Sequence, residues 1–212
     1  MEVKIYVEGI NDVVFLGTYL QEVLGFEGDN NPKDKIHLFQ TATTRVQLLA
    51  LGGVSNLKDN IIQQEIQEDF EDGIKTLIIL DADNEHNEGG FAIRKTAVEA
   101  IQSNLPFEYF LIPNHEEDGY LETLLGKIIV EEYQAALQCL KDQDQCLTVA
   151  NQSITTGKKM KVAPTKSADK AVMNSFMGRL KNKGQDRFKD TTIWNLQHPS
   201  LARLQHFLQT HL

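Results

Sequence analysis

Two short acidic stretches in this chain each follow an apolar run with no spacer between. Lys75-Thr76-Leu77-Ile78-Ile79-Leu80 ends in Asp81-Ala82-Asp83, and Val3-Lys4-Ile5-Tyr6-Val7 ends in Glu8-Gly9-Ile10-Asn11-Asp12. Carboxylates crowded at the mouth of a buried segment repel one another, because loss of water raises the cost of each charge. A hard divalent cation offsets that cost, and Mg²⁺ or Mn²⁺ is suited to carboxylate oxygens and water. Side chains two apart in extended backbone point the same way, so the spacing predicts that Asp81 and Asp83 both face one ion. Taken alone, an Asp-x-Asp is equally a solvated start to the next helix, and Glu8 is equally an exposed turn acid. Asp12 precedes a helical stripe, so capping is its first role. The two segments together favour a metal centre built on Glu8, Asp81 and Asp83, with Asp12 as a further ligand.

The elements around these acids explain how they meet. Residues 3–7, 75–80 and 108–112 read as strands, with 35–39 and 47–51 as weaker candidates. Between them lie helical patterns: Val13, Leu16, Leu20 and Leu24 form one stripe, Ser55 or Asn56 caps an acidic helix running to Phe70, and Gly89-Gly90 opens a third. Alternation of this kind predicts an α/β fold with a mostly parallel sheet flanked by helices. In such sheets ligands bind beyond the carboxyl ends of the strands. Glu8, the Gly52-Gly53 turn, Asp81, Asp83 and the loop after Ile112 all lie there. Further helices are expected near 119–125, 128–140, 168–182 and 199–210, with a loop or hinge over 151–167.

The same residues carry a family resemblance. Val7-Glu8-Gly9-x-x-Asp12 followed by an apolar helix resembles the first Toprim motif, and Leu80-Asp81-Ala82-Asp83 the second, with the Gly52-Gly53 turn between them. The likeness covers residues 3 to about 125. It is nearest to short stand-alone Toprim proteins of unknown function related to the OLD-family nucleases. It implies two parts, a Toprim-like metal-binding domain over 1–126 and a helical C-terminal extension over 127–212 with a basic segment at 151–189. It also implies Mg²⁺ held by the acid pair, with Glu8 as general acid or base. Those relatives carry a Pro-Asx loop and then Gly-x-Leu-Glu, here Pro113-Asn114 and Gly119-Tyr120-Leu121-Glu122, which makes Glu122 a further metal ligand. Asn114 departs from the aspartate common at its position and supplies none. OLD relatives place a lysine late in the chain. Lys170 is taken as the catalytic one here, with Lys166, Arg94 and Lys95 as other cations for a developing negative charge.

Charge adds a partner. Up to residue 150 there are 10 Lys+Arg against 27 Asp+Glu, and beyond it 11 against 3. A basic segment of this kind contacts a polyanion such as nucleic acid, or docks on its own acidic body. Lys158, Lys159, Lys161 and Lys166 are the expected nucleic-acid contacts. Thr156-Gly157-Lys158-Lys159 lacks the first glycine and the hydroxyl of a phosphate-binding loop. Cys139 and Cys146 fit neither a disulfide framework nor a zinc site. His86 and His115 read as solvated loop residues, Glu116-Glu117-Asp118 as a solvated run, and Trp194 as core. No membrane span or signal segment is visible, so a cytoplasmic location is expected. Three functions follow: metal-dependent cleavage of nucleic acid; a non-catalytic nucleic-acid or effector module, working with a partner such as an ATPase in phage defence; and a small-molecule phosphatase or phosphotransferase. Oligomeric state is left open by the sequence.

Overall fold

The computed structural model describes residues 1–29, 35–84, 89–153, 168–180 and 187–212. Its six strands are β1 (Glu2–Val7), β2 (Glu27–Gly28), β3 (Ile36–Gln40), β4 (Arg45–Ala50), β5 (Lys75–Asp81) and β6 (Phe107–Ile112). The helices are α1 (Ile10–Glu22), α2 (Asn60–Glu71), α3 (Gly90–Gln102), α4 (Leu121–Ile128), α5 (Glu131–Ser153), α6 (Ala168–Arg179) and α7 (Ala202–His211). The strands form one mixed sheet in the order β2-β3-β4-β1-β5-β6. β4, β1, β5 and β6 run parallel, while β3 is antiparallel to both β4 and β2. The parallel part is the α/β sheet that the alternating pattern predicts. The β3–β4 hairpin is a departure. Thr41 closes it by accepting from the Thr44 amide on Oγ1 (3.1 Å) while its own amide donates to the Thr44 carbonyl (2.8 Å). Antiparallel neighbours need only such a tight turn, whereas parallel ones need a long crossover. A Thr-Ala-Thr-Thr turn carries no glycine or proline to announce it.

Alternate residues of each strand feed two cores. Val3, Ile5, Val7, Leu77, Ile79, Phe110 and Ile112 pack with α1, α4 and the C-terminal helices. Tyr6, Ile78, Leu80 and Leu111 pack on the other face with Ile66 of α2 and Val98 of α3. Trp194 is fully buried in the first of these cores, as its apolar context predicts. Leu137, Met173, Phe176 and Leu204 lie in that core too, so the C-terminal helices share it with the sheet.

Two helix boundaries differ from expectation. Val54–Lys58 forms a 3-10 turn, and Asp59, not Ser55 or Asn56, caps α2 by accepting from the Ile61 amide (2.8 Å). α5 continues to Ser153, well past Leu140, on a largely exposed polar helix whose length no apolar stripe announces. Among the described residues no helix is long and apolar enough to cross a membrane.

Candidate functional site

The site begins with backbone. Gly52 (φ 77°) and Gly53 (φ 125°) occupy conformations that side chains rarely adopt, and both their amides donate to the carbonyl of Glu8 at 3.1 Å. The glycine turn after β4 therefore fixes the backbone at the end of β1. Gly9 is extended (φ −145°), a conformation open to any residue, so no tight turn requires a glycine there. α1 starts immediately after it. Asp12, in the first turn rather than before it, accepts from the Gly9 amide at 2.9 Å. That contact is the reciprocal half of a capping box, so Asp12 does tie down the helix start.

Asp81 ends β5 on the face that packs against α1 and α4. Its Oδ1 accepts from the Leu121 amide at the start of α4 (2.9 Å), where the helix dipole favours an anion. Its Oδ2 pairs with Lys170 Nζ at 3.1 Å. Lys170 comes from α6 and lies 4.2 Å above the ring of Tyr120. Glu122, one residue further along α4 than Leu121, is also buried. Glu8, Asp12, Asp81, Glu122 and Lys170 line one cavity of about 340 Å³, together with Asn11 and the Gly52-Gly53 turn.

Charge in this cavity is unbalanced. Desolvation, reinforced by Glu8, pushes Asp12 up to about 7. Asp81 is held well above the usual carboxylate range by desolvation and then by Asp12, with Lys170 opposing. Glu8 is raised by desolvation and by Asp83, with Lys170 and Arg94 opposing. Lys170 is disfavoured by its own desolvation, yet Asp81, Glu122 and Glu8 raise it above the ordinary lysine value. Glu8 Oε2 is buried without a hydrogen-bond partner.

Asp83 does not line this cavity. It has φ 60°, and its backbone exchanges hydrogen bonds with Gly119 in both directions (2.9 and 2.7 Å). The i, i+2 argument assumes extended backbone and loses its basis at a left-handed residue. The Asp83 carboxylate is instead ion-paired with buried Arg94 of α3, on the opposite face of the sheet from α1. Lys95 pairs with Glu99 on the exposed side of α3 (3.8 Å). Asn114 Oδ1 accepts from the Glu116 and Glu117 amides (3.1 and 2.9 Å), so it shapes its own loop. Glu116, Glu117 and Asp118 are exposed as expected, although Glu117 pairs with Lys127 at 2.7 Å and Asp118 accepts from the Phe91 amide at 2.7 Å. Lys158, Lys159, Lys161, Lys166 and His86 lie outside the described residues.

Arg187, unremarked in the sequence, bonds Asn11 at the cavity rim through Nη1 (2.9 Å). Its place in the basic segment is the only signal that could have drawn attention to it. Among the described residues no group of three or more His, Cys, Asp or Glu side chains is arranged to hold a metal ion. The donors still fit a hard cation. All are carboxylate oxygens, one is buried and unsatisfied, and their mutual repulsion falls when positive charge enters. Mg²⁺ keeps several waters and is commonly held by only one or two carboxylates.

A family model described as "Protein of unknown function (DUF3226)" matches residues 2–212. The crystal structure of hypothetical protein PH0156 from Pyrococcus horikoshii OT3 is similar at a TM-score of 0.46 and 14% sequence identity, covering 83% of this chain and 88% of that one. No curated protein matches.

Proposed function

We propose, for a chain that belongs to the DUF3226 family of proteins of unknown function, that it is a Mg²⁺- or Mn²⁺-dependent hydrolase of nucleic-acid phosphodiester bonds. One observation carries the reading: four carboxylates, on α1, β5, α4 and the turn between β1 and α1, line one cavity, and Lys170 is the only cation among its described lining residues. The Toprim likeness of Val7-Glu8-Gly9 and Leu80-Asp81-Ala82-Asp83 supports it. A divalent cation bound there would polarise the phosphate and make water a stronger nucleophile. Asp81, Glu122 and Glu8 would hold the cation, with Asp12 beside them. Asp81 is pre-oriented for this by the Leu121 amide. Glu8, its carboxyl raised toward neutrality, suits proton transfer with the attacking water or the leaving oxygen. Lys170 offsets charge that builds on the phosphate oxygens. Asp83, held by Arg94, takes a supporting place behind Glu8.

A second reading has its own observation. The Lys170 ammonium already sits on Asp81 and the Arg94 guanidinium on Asp83, so two of the acids are partly neutralised without metal. That favours a non-catalytic nucleic-acid or effector-binding module working with a partner, for which an ATPase is the candidate.

The test is cleavage of plasmid DNA and structured RNA in Mg²⁺ or Mn²⁺. The hydrolase reading predicts cleavage by the native chain and none by Glu8→Gln or Asp81→Asn. Binding without cleavage by the native chain would favour the module. If the basic segment grips phosphates, affinity falls steeply with salt, and reversing the charge of Lys158, Lys159 and Lys161 weakens it. Salt-insensitive binding would remove that role.

A further inference from the structure

On the outer edge of the sheet, β6 and α7 line a separate open cavity of about 550 Å³. Its walls are rings. Phe110 stacks on His115 (centroids 5.3 Å apart, 29° between planes), Tyr109 lies 5.2 Å from the same imidazole, Phe207 is 5.4 Å from Phe110, and His211 is 4.7 Å from Phe207. The sequence reads His115 as a solvated loop residue, but it is half-buried in this aromatic set.

The polar groups that line the cavity are the imidazoles of His115, His206 and His211, the hydroxyls of Tyr109 and Thr210, and the Arg203 guanidinium. His115 Nδ1 accepts from the Leu111 amide at 3.0 Å, so in the neutral ring the proton must sit on Nε2 as a donor. Its left-handed backbone (φ 63°) is an uncommon conformation, held here by the amide bond to the Leu111 carbonyl and by the ring stack. Desolvation, then Lys95 and Arg203, lowers its pKa, which keeps the ring neutral at pH 7. His211 is lowered as well, chiefly by desolvation, and its Nδ1 is buried without a partner. Arg203, the one cation among the described lining residues, is ion-paired with Glu116, and nearby Lys95 is paired with Glu99. A phosphate or carboxylate would therefore find no uncommitted charge among these lining residues. An aliphatic ligand would leave the imidazole nitrogens unmatched. Flat π faces with neutral donors and acceptors match a planar nitrogen heterocycle.

We propose that the cavity between β6 and α7 binds one unstacked nucleobase. The loop from Pro113 to Tyr120 joins this cavity to the acidic one, since His115 lies at one end and Tyr120, beneath Lys170, at the other. The base therefore belongs either to a strand whose backbone runs toward Asp81 or to a free nucleotide. The strand source rests on the nucleic-acid reading above, whereas base recognition does not.

Calorimetric titration of the full chain in EDTA separates the two. The ligands are adenosine monophosphate, a short single-stranded DNA and an abasic strand of the same length. Base-dependent binding is expected, with the abasic strand about tenfold weaker or worse. Binding of the strand alone assigns the base to nucleic acid; binding of the mononucleotide as well assigns it to either source. Ala202→Trp fills the cavity from an exposed position and removes no core side chain, so it abolishes this base dependence without lowering the thermal midpoint. The ¹⁵N resonances of His115 and His211 shift with base-bearing ligands and stay put with the abasic strand. Equal affinity for normal and abasic strands with no mononucleotide binding, or undiminished binding by Ala202→Trp, overturns the proposal. Because no metal is present and no cleavage is read, failure here leaves the hydrolase reading standing. Loss of cleavage in Glu8→Gln likewise leaves this one standing.

Discussion

Lys4 lies within β1 and Glu8 just past its end, yet each sits in a different kind of charge cluster. Lys4 is buried against α2, where Nζ meets Asp69 at 2.6 Å and Glu65 at 2.9 Å. Asp69 is buried as deeply as Lys4, while Glu65 is open to water, so little buried charge goes unmatched. At the other end of the strand, Glu8 joins Asp12, Asp81 and Glu122 around Lys170, and a buried oxygen of Glu8 has no partner. The first cluster sets one buried ammonium against one buried carboxylate, so its charge is matched although Asp69 Oδ2 has only that ion pair and no hydrogen bond, and it serves the fold. The second holds carboxyls pushed toward neutrality, a cost that a bound cation would remove.

The sharpest way to break this contrast is to exchange the consequences of mutation. Lys4→Met leaves Asp69 buried and uncompensated, and should cost about 3–5 kcal/mol of stability in a denaturant titration. Per folded molecule, cleavage should be unchanged. Asp81→Asn should do the reverse, lowering cleavage by roughly a hundredfold or more while the denaturation midpoint of the metal-free protein holds. If Asp81→Asn unfolds the protein as Lys4→Met does, the two clusters are of one kind.

A smaller effect is stabilisation by metal. Mg²⁺ at a hundred times its Kd should add about 2.7 kcal/mol to the native chain and to Glu65→Gln, and nothing to Glu8→Gln. Next is pH. Asp12 stands at about 7 in the folded chain against an ordinary 3.8. Between those values the folded state keeps a proton that the unfolded state has lost, so metal-free stability should fall as pH rises from about 4 to about 7 and then level off. Asp12→Asn keeps an acceptor for the Gly9 amide and should flatten that part of the thermal-midpoint profile. The smallest change is Glu65→Gln, which removes the water-exposed partner of Lys4 and should cost under about 1 kcal/mol, less in high salt.

Much of this was legible in the residues. An apolar run ending in acid fixes Glu8 and Asp81 at strand ends, and the parallel-sheet rule brings those ends together. Glu122 came from a resemblance rather than from periodicity, and it does line the cavity. The remainder depends on backbone and on distant chain. Asp83 turns away because a single residue is left-handed, which no local pattern announces. The hairpin at Thr41–Thr44 lacks the usual turn residues. Lys170 reaches Asp81 across 89 positions, and Arg187 reaches Asn11 across 176. Contacts of that range follow from packing in the shared core, not from spacing. The His115 cavity escaped notice because one histidine in a polar loop looks solvated until β6 and α7 supply its aromatic neighbours.

The central claim, that acids from separate strand ends share one cation, is tested most directly by titrating Mn²⁺ and following free Mn²⁺ by electron paramagnetic resonance. The native chain should take up the ion saturably, and both Glu8→Gln and Asp81→Asn should lose that uptake while remaining folded. Equal uptake by the native chain and both variants, or none by any of them, would contradict the account.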